Sequence, residues 1–293
     1  MYAVETKNLT KYYGKSRGIV DVNLRLDEGE IFGFIGPNGA GKTTTIRLLL
    51  NFIFPTSGSA SIFGLDCVEK STEIKRQVGY LPGEVNYYGD MRVRDLLEYS
   101  GRFYARDCSI RGRELAAAFD LNLDARIEDL SQGNKKKVGI VQALLHSPRL
   151  LILDEPTSGL DPLIQRRFFD VLLEENRKGV TIFFSSHVLN EVQRLCHRVG
   201  IIKEGRILRV DDIETIRAQQ FKKVSVTFKA PSQEFAVGLK GVRDLVRENG
   251  TYRFLFGGDM DPLVKELAKT NVENLWIEEP TLEEVFMHYY EKE

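Results

Sequence analysis

The sequence predicts an α/β fold built on a parallel sheet, and three observations carry that prediction. Short apolar runs recur at Ile31-Phe32-Gly33-Phe34-Ile35, Leu150-Leu151-Ile152-Leu153 and Val180-Thr181-Ile182-Phe183-Phe184, each of a length suited to a buried strand. Stretches of helical periodicity lie between them, and strands alternating with helices imply a parallel sheet with helices packed on it. The first run is also followed by Gly36-Pro37-Asn38-Gly39-Ala40-Gly41-Lys42-Thr43, which fits G-x-x-x-x-G-K-[ST]. That loop belongs between a strand and a helix.

Each element has its own local reason. Residues 3–62 read as β-rich: Val20 to Leu26 alternates with period two, and Asp27-Glu28-Gly29-Glu30 is a turn into the Ile31 strand. Thr44 to Leu50 reads as a helix. From about Ser71 to Pro148 the pattern is helical, with Val93, Leu96, Leu97 and Phe103-Tyr104, then Leu115 and Phe119, then Val138, Val141, Leu144 and Leu145 at helical spacing. After the Leu150 strand, Pro162 opens a helix that ends near Lys178-Gly179.

Past Asp212 the character changes, which sets domains of 1–213 and 214–293, with a helical part at about 71–148. Val224 to Phe228 alternates and Ser232 to Leu239 reads as a short helix. Val242 to Arg247 and Thr251 to Phe256 flank Glu248-Asn249-Gly250, a hairpin signal. Asp261-Pro262 opens a helix reaching Lys269, Asn274 to Ile277 is a strand, and Thr281 to Tyr290 a closing helix. The order β-α-β-β-α-β is that of a ferredoxin-like α+β unit. It shows no catalytic constellation and reads as a regulatory or interaction domain.

Composition narrows the function classes. A chain of 293 residues has room for about two domains. With 42% hydrophobic and 28% charged residues it reads as a soluble globular protein. A net charge of −1 argues against a nucleic-acid partner. The apolar runs fall far short of the roughly 20 residues of a membrane helix, and Met1-Tyr2-Ala3-Val4-Glu5 is not a signal-peptide opening. Cys67, Cys108 and Cys196 are scattered and odd in number, as reduced packing residues are.

The chemistry starts at the Gly-rich loop. Its glycines let backbone N–H groups turn toward phosphates, and the helix N-terminus adds partial positive charge. Lys42 can reach the β/γ-phosphates and the Thr43 hydroxyl can ligate Mg²⁺. The expectation is a nucleoside triphosphate site. Asp154-Glu155 ends the Leu150 strand, where α/β sheets present ligand groups. Asp154 can hold Mg²⁺ and Glu155 can orient or deprotonate a water, although such a pair is often only a helix cap. Ser131 is a natural N-cap within Leu130-Ser131-Gln132-Gly133-Asn134. Ser158-Gly159-Leu160-Asp161 reads as a turn and Ser185-Ser186-His187 as a strand-end loop. Lys135-Lys136-Lys137 reads as an exposed helix face rather than an anion site.

Together, in this order, these motifs resemble the nucleotide-binding subunits of ATP-binding-cassette transporters, from about residue 3 to 215. Gly36 to Thr43 matches the Walker A loop, with Thr44 beside it, and Leu150 to Glu155 the Walker B strand. Leu130 to Asn134 matches the signature, Ser158 to Asp161 the D-loop and His187 the switch histidine. Tyr13 stands where the family places the aromatic that stacks on adenine. The resemblance implies a P-loop NTPase cassette with a parallel-sheet core, an antiparallel β subdomain and a helical subdomain. It implies ATP and Mg²⁺ as ligands, with Gly36, Pro37, Asn38, Gly39, Ala40, Gly41, Lys42, Thr43, Thr44, Tyr13, Ser131, Gly133 and Asp161 around the nucleotide. Glu155 and His187 would be catalytic. It also implies ATP-driven dimerisation of two such subunits, a permease on a separate chain, and a peripheral place on the cytoplasmic face of the cell membrane. The tail Pro280 to Phe286 resembles the appendage of prokaryotic drug- and antibiotic-export members.

Two departures stand out. The signature carries Gln132 and Asn134 where the family has LSGGQ, but Ser131 and Gly133 are retained. In Gly79-Tyr80-Leu81-Pro82-Gly83-Glu84, Gly83 occupies the position of a glutamine that contacts Mg²⁺ and water. Glu84 beside it is either a substitute metal ligand or a solvated loop residue. Two other classes compete: a soluble cassette ATPase acting on nucleic acid or the ribosome, and a nucleotide sensor that does not hydrolyse.

Overall fold

The strand Ile31–Ile35 (β3) is buried along its whole length and organises everything around it. In the computed structural model, which describes residues 2–87, 89–104, 106–214, 221–229, 239–248 and 250–278, β3 pairs in parallel with Thr181–Ser186 (β8) and Arg198–Lys203 (β9). Leu150–Asp154 (β7) and Val78–Leu81 (β6) extend the parallel sheet on one side, and Arg206–Asp212 (β10) closes the other side antiparallel. The order is β10-β9-β3-β8-β7-β6. Strands buried on both faces need continuous apolar runs, which is why β3, β7 and β8 are legible as such.

A second sheet is antiparallel, β2-β1-β4-β5, from Tyr2–Tyr13 (β1), Ser16–Asp27 (β2), Ser57–Ile62 (β4) and Leu65–Asp66 (β5). Along β2 the buried residues Val22, Leu24 and Leu26 alternate with exposed neighbours, the period of a sheet with one face in the core. Its inward side chains join those of Lys42–Leu49 (α1) and β3 in one cluster containing Leu9, Ile19, Phe34, Ile46 and Leu49.

The segment expected to be wholly helical from Ser71 to Pro148 is interrupted by β6. It holds Ser71–Lys75 (α2), Val93–Gly101 (α3), Ser109–Ala118 (α4) and Gln132–Leu144 (α5). Four residues of strand are too few to display a period, and what holds β6 in the sheet is tertiary. Gly79 lies so close to α5 that a Cβ there would sit 2.0 Å from the Ala143 carbonyl oxygen. Val93, Leu96 and Leu97 are buried as the periodicity predicts, but α3 ends at Gly101 and Phe103 is exposed against Tyr99. Pro162–Arg177 (α6) runs as expected, while Leu189–Leu195 (α7), β9 and β10 carried no clear sequence signal. All three cysteines are buried free thiols.

Contacts divide the chain into two compact units, Met1–Asp212 and Ile213–Glu293. In the second, Phe221–Phe228 (β11), Val242–Glu248 (β12), Thr251–Gly257 (β13) and Val272–Glu278 (β14) form an antiparallel sheet ordered β12-β13-β11-β14. That is the strand order of a ferredoxin-like sheet. Val224, Val226, Tyr252, Phe254 and Phe256 cluster with Leu263 and Leu267 of Met260–Leu267 (α8). Asp259, not Asp261, caps that helix by accepting from the Asp261 N–H at 3.0 Å. Most of the helix expected at Ser232 to Leu239, the Thr281 to Tyr290 helix and the Pro280 to Phe286 tail lie outside the described residues.

The Gly79 approach gives a stability prediction. Gly79→Ala forces a methyl against backbone, and overpacking of this kind costs about 1–3 kcal/mol. Urea unfolding should show a correspondingly lower midpoint for the variant, and an unchanged midpoint would mean that β6 and α5 are not in such close contact.

Candidate active site

The parallel strands end together, and their ends carry the site. Pairing aligns Asp154 of β7 with Ser185 of β8, and Ile35 of β3 with Ser186. The Gly-rich loop leaves β3 and turns into α1, whose N-cap Gly41 has φ +114°. Gly39 (φ +79°) and Gly41 adopt the left-handed region that glycine alone enters without strain. The loop is seated against the β9–β10 turn. Gly205 N–H donates to the Ala40 carbonyl at 2.8 Å, and a Cβ on Gly36 would lie 2.2 Å from the Ile202 carbonyl. Pro37, Asn38 and Gly39 are exposed, Ala40 is buried, and the first N–H groups of α1 have no partner inside the helix.

Asp154 is 3% exposed, and two hydroxyls satisfy it. Thr43 Oγ1 donates to its Oδ2 at 2.8 Å and Ser185 Oγ to its Oδ1 at 2.7 Å. Buried carboxylates need such partners. Thr43 and Asp154 thus put hard oxygen donors side by side at the start of α1, a donor set that fits Mg²⁺, which takes few protein ligands and keeps others from water and phosphate. Among the described residues no group of three or more His, Cys, Asp or Glu is gathered as a metal cluster.

Glu155 follows with its side chain between two nitrogens. Its Oε1 faces Lys42 Nζ at 3.2 Å, an ion pair whose angle is not that of a hydrogen bond, and its Oε2 accepts from His187 Nδ1 at 2.7 Å. An ionised carboxylate can only accept, so the proton of that bond sits on Nδ1. Lys42 is buried and also donates to the Gly36 and Pro37 carbonyls at 2.6 and 3.3 Å. Glu155 itself has φ +46°, unfavourable for a residue with a side chain. Its N–H is shared between Ser185 O and Oγ, each at 3.2 Å.

Other expected residues take varied places. Tyr13 is 45% exposed, hence not a core tyrosine. A Cβ on Gly18 would lie 3.0 Å from its ring and 3.3 Å from the Thr44 methyl, so both side chains close on the same bare stretch of β2. Ser131 caps α5, accepting from Asn134 N–H at 3.3 Å. Asp161 caps α6 through the N–H groups of Leu163 and Ile164. Gly133 lies near the D-loop, a Cβ there falling 3.1 Å from the Gly159 carbonyl. Glu84 is exposed, and among the described residues no hydrogen bond or ion pair joins it to Thr43, Asp154 or Glu155.

Two residues of the site were not anticipated. Ser185 was read only as part of a loop, though it sits at the buried end of β8 beside Asp154. Lys136 is the larger correction: the run Lys135 to Lys137 is not a solvated face at its centre. Lys136 is 3% exposed and donates to the carbonyls of Pro82, Gly83 and Glu155. The available signal was its spacing, since Lys136, Ile140 and Ala143 share the buried stripe of α5.

Residues 19–158 match the ABC transporter family. The bacitracin transport ATP-binding protein of Bacillus licheniformis is 37% identical over 241 residues, covering 80% of this chain and 78% of that protein. A solved ATP-binding subunit of an ABC transporter has TM-score 0.70 and 32% identity over 74% of this chain and 92% of its own. A dimeric bacterial ABC transporter cassette has TM-score 0.67 and 25% identity over 72% and 98%. Phosphate loop, Mg²⁺-type oxygen pair, strand-end glutamate and histidine thus stand together in a fold and sequence shared with these proteins, and the chain belongs to the ABC transporter family as one of its ATP-binding, ATP-hydrolysing subunits.

Proposed function

We propose that this subunit drives export through a separate membrane permease, by ATP-dependent pairing of two copies and hydrolysis at the Glu155 site. The observation that carries the hydrolytic part is the clamp on Glu155, whose carboxylate is aimed by Lys42 and His187 beside the Asp154–Thr43 pair. A carboxylate so held orients a water and takes its proton as it attacks the γ-phosphate. Lys42 neutralises phosphate charge, and the loop N–H groups with the α1 N-terminus complete the anion site. His187 faces the same carboxylate through Nδ1, and with a proton on Nε2 it donates a hydrogen bond to the reacting phosphate. Thr43 and Asp154 would hold Mg²⁺, with Glu84 as a further ligand in place of the side chain that Gly83 lacks, and the ion would supply neutralisation of phosphate charge.

ABC cassettes act as dimers with membrane subunits, and the dimeric cassette among the structural relatives supports the same assembly here. Ser131, Gly133 and Asp161 then face the partner's nucleotide, and Tyr13 stacks on adenine. The name of the bacitracin transport relative supports an exported peptide or drug as cargo. Among the described residues no helix is long and apolar enough to cross a membrane. The substrate path is assigned to the permease, and this subunit to the cytoplasmic face of the membrane. The unit Ile213–Glu293 is an accessory domain of regulation or interaction.

Glu155→Gln removes the base while keeping the shape, and turnover should fall about 10²–10⁴-fold with ATP affinity retained and the dimer trapped. Phosphate release and size-exclusion chromatography with ATP–Mg²⁺ check both halves; near-normal turnover with monomer only would reject the assignment. For Lys42→Ala, the loss of a charge-assisted contact of about 1.5–3 kcal/mol should weaken ATP binding about 10- to 100-fold. An unchanged calorimetric isotherm would contradict the phosphate-loop role. Glu84→Ala should lower hydrolysis about 10–100-fold while leaving Mg²⁺-free ATP binding intact. A Mg²⁺ titration that overlays wild type would leave Glu84 a solvated loop residue.

A further inference from the structure

Lys136 belongs to none of the roles above, yet it is buried and every one of its donors is engaged. The ammonium has three donors, and they meet three acceptors: Gly83 O at 2.8 Å, Pro82 O at 3.0 Å and Glu155 O at 3.2 Å. Burial pushes it down to about 8, and the carboxylates of Asp154 and Glu155 pull the other way. A buried charge persists only where its partners are fixed and complete.

Those partners are two stretches of backbone that need holding. Gly83 stands where no side chain can anchor the loop to the site, and a Cβ there would come only within 3.6 Å of the Asp154 carbonyl. Glu155 is held at φ +46°, a conformation that persists only when its surroundings over-determine it. Ser185 fixes the Glu155 N–H from one side. Lys136 takes its carbonyl from the other, joined by the Ser158 N–H at 3.3 Å. The lysine is carried early in α5, the helix capped by Ser131, so one cation ties that helix to the end of β6 and the end of β7.

We propose that Lys136 is a positioning residue for hydrolysis: it sets the backbone of Glu155, and with it the aim of the carboxylate, while anchoring the loop at Gly83 in place of an absent side chain. The inference rests on Glu155 being the base. The competing role is a plain fold pin, which would lower stability without acting through Glu155.

A double-mutant cycle separates the two. Lys136→Met should lower kcat on the order of 10²-fold, the scale of a misplaced catalytic group, with the ATP dissociation constant unchanged. In the Glu155→Gln background, where there is no base to aim, the same substitution should change residual phosphate release less than twofold. An unchanged kcat in Lys136→Met, or an equal loss in both backgrounds, would overturn the proposal. Lys136→Gln, which keeps two amide donors for the carbonyls, is carried through the same cycle and should lie between wild type and Met. It supplies the reading should circular dichroism show that the Met variant does not fold. Near-normal turnover in Glu155→Gln alone would instead refute the base assignment, and the Lys136 role with it.

Discussion

Everything at this site depends on a buried carboxylate held between two hydroxyls. Asp154 accepts from Thr43 on one side and Ser185 on the other. Those three residues come from α1, β7 and β8, and only the parallel register Asp154↔Ser185 brings them to one edge. An unpartnered carboxylate at that depth would lose several kcal/mol of solvation. The sheet register and the functional constellation are therefore one constraint. A slip of one residue in β8 would turn Ser185 to the other face and take from Asp154 Oδ1 the hydroxyl that satisfies it.

Around that anchor, the site separates the control of a side chain from the control of a backbone. The Glu155 carboxylate lies between Lys42 and His187, the two residues proposed above to act on phosphate. The Glu155 peptide is bonded at its N–H by Ser185 and at its carbonyl by Lys136. Two buried ammonium groups near two carboxylates keep the local charge close to balance before any nucleotide enters. The positive φ at Glu155 follows from the same arrangement: the chain must turn sharply at the strand end to present the side chain, and the fixed neighbours offset the strain.

The unit Ile213–Glu293 is built on different principles. Its core is one face of an antiparallel sheet covered by α8, with alternating apolar residues in β11 and β13. Trp276 and Ile277 of β14 and Val246 of β12 stay exposed. Among its described residues no group of three or more potential metal-ligating side chains is gathered.

Period and spacing carried much of the rest. β3, β7 and β8 announce themselves as apolar runs because both faces are buried, and β2 and β11 as alternation because one face is. The phosphate loop is legible because its glycines and its lysine are needed at fixed intervals along the chain. Residues 36–43, 154 and 155 could be named before any coordinates from motif and position, and His187 from the family resemblance that the ordered motifs carry. What local pattern could not reveal depends on contacts between distant segments. β6 is a strand only because Gly79 fits beneath α5. Ser185 is a ligand of Asp154 only through pairing across the sheet. Lys136, one of three consecutive lysines, is distinguished from its neighbours only by the three carbonyls that the folded chain brings to it. The sequence by itself determined the fold class, written in short-range spacing, and pointed to the candidate reacting groups through the order of its motifs. Which polar groups are buried, and what satisfies them, was decided by the tertiary structure, because a buried charge is paired by whatever the fold places beside it and not by its neighbours along the chain.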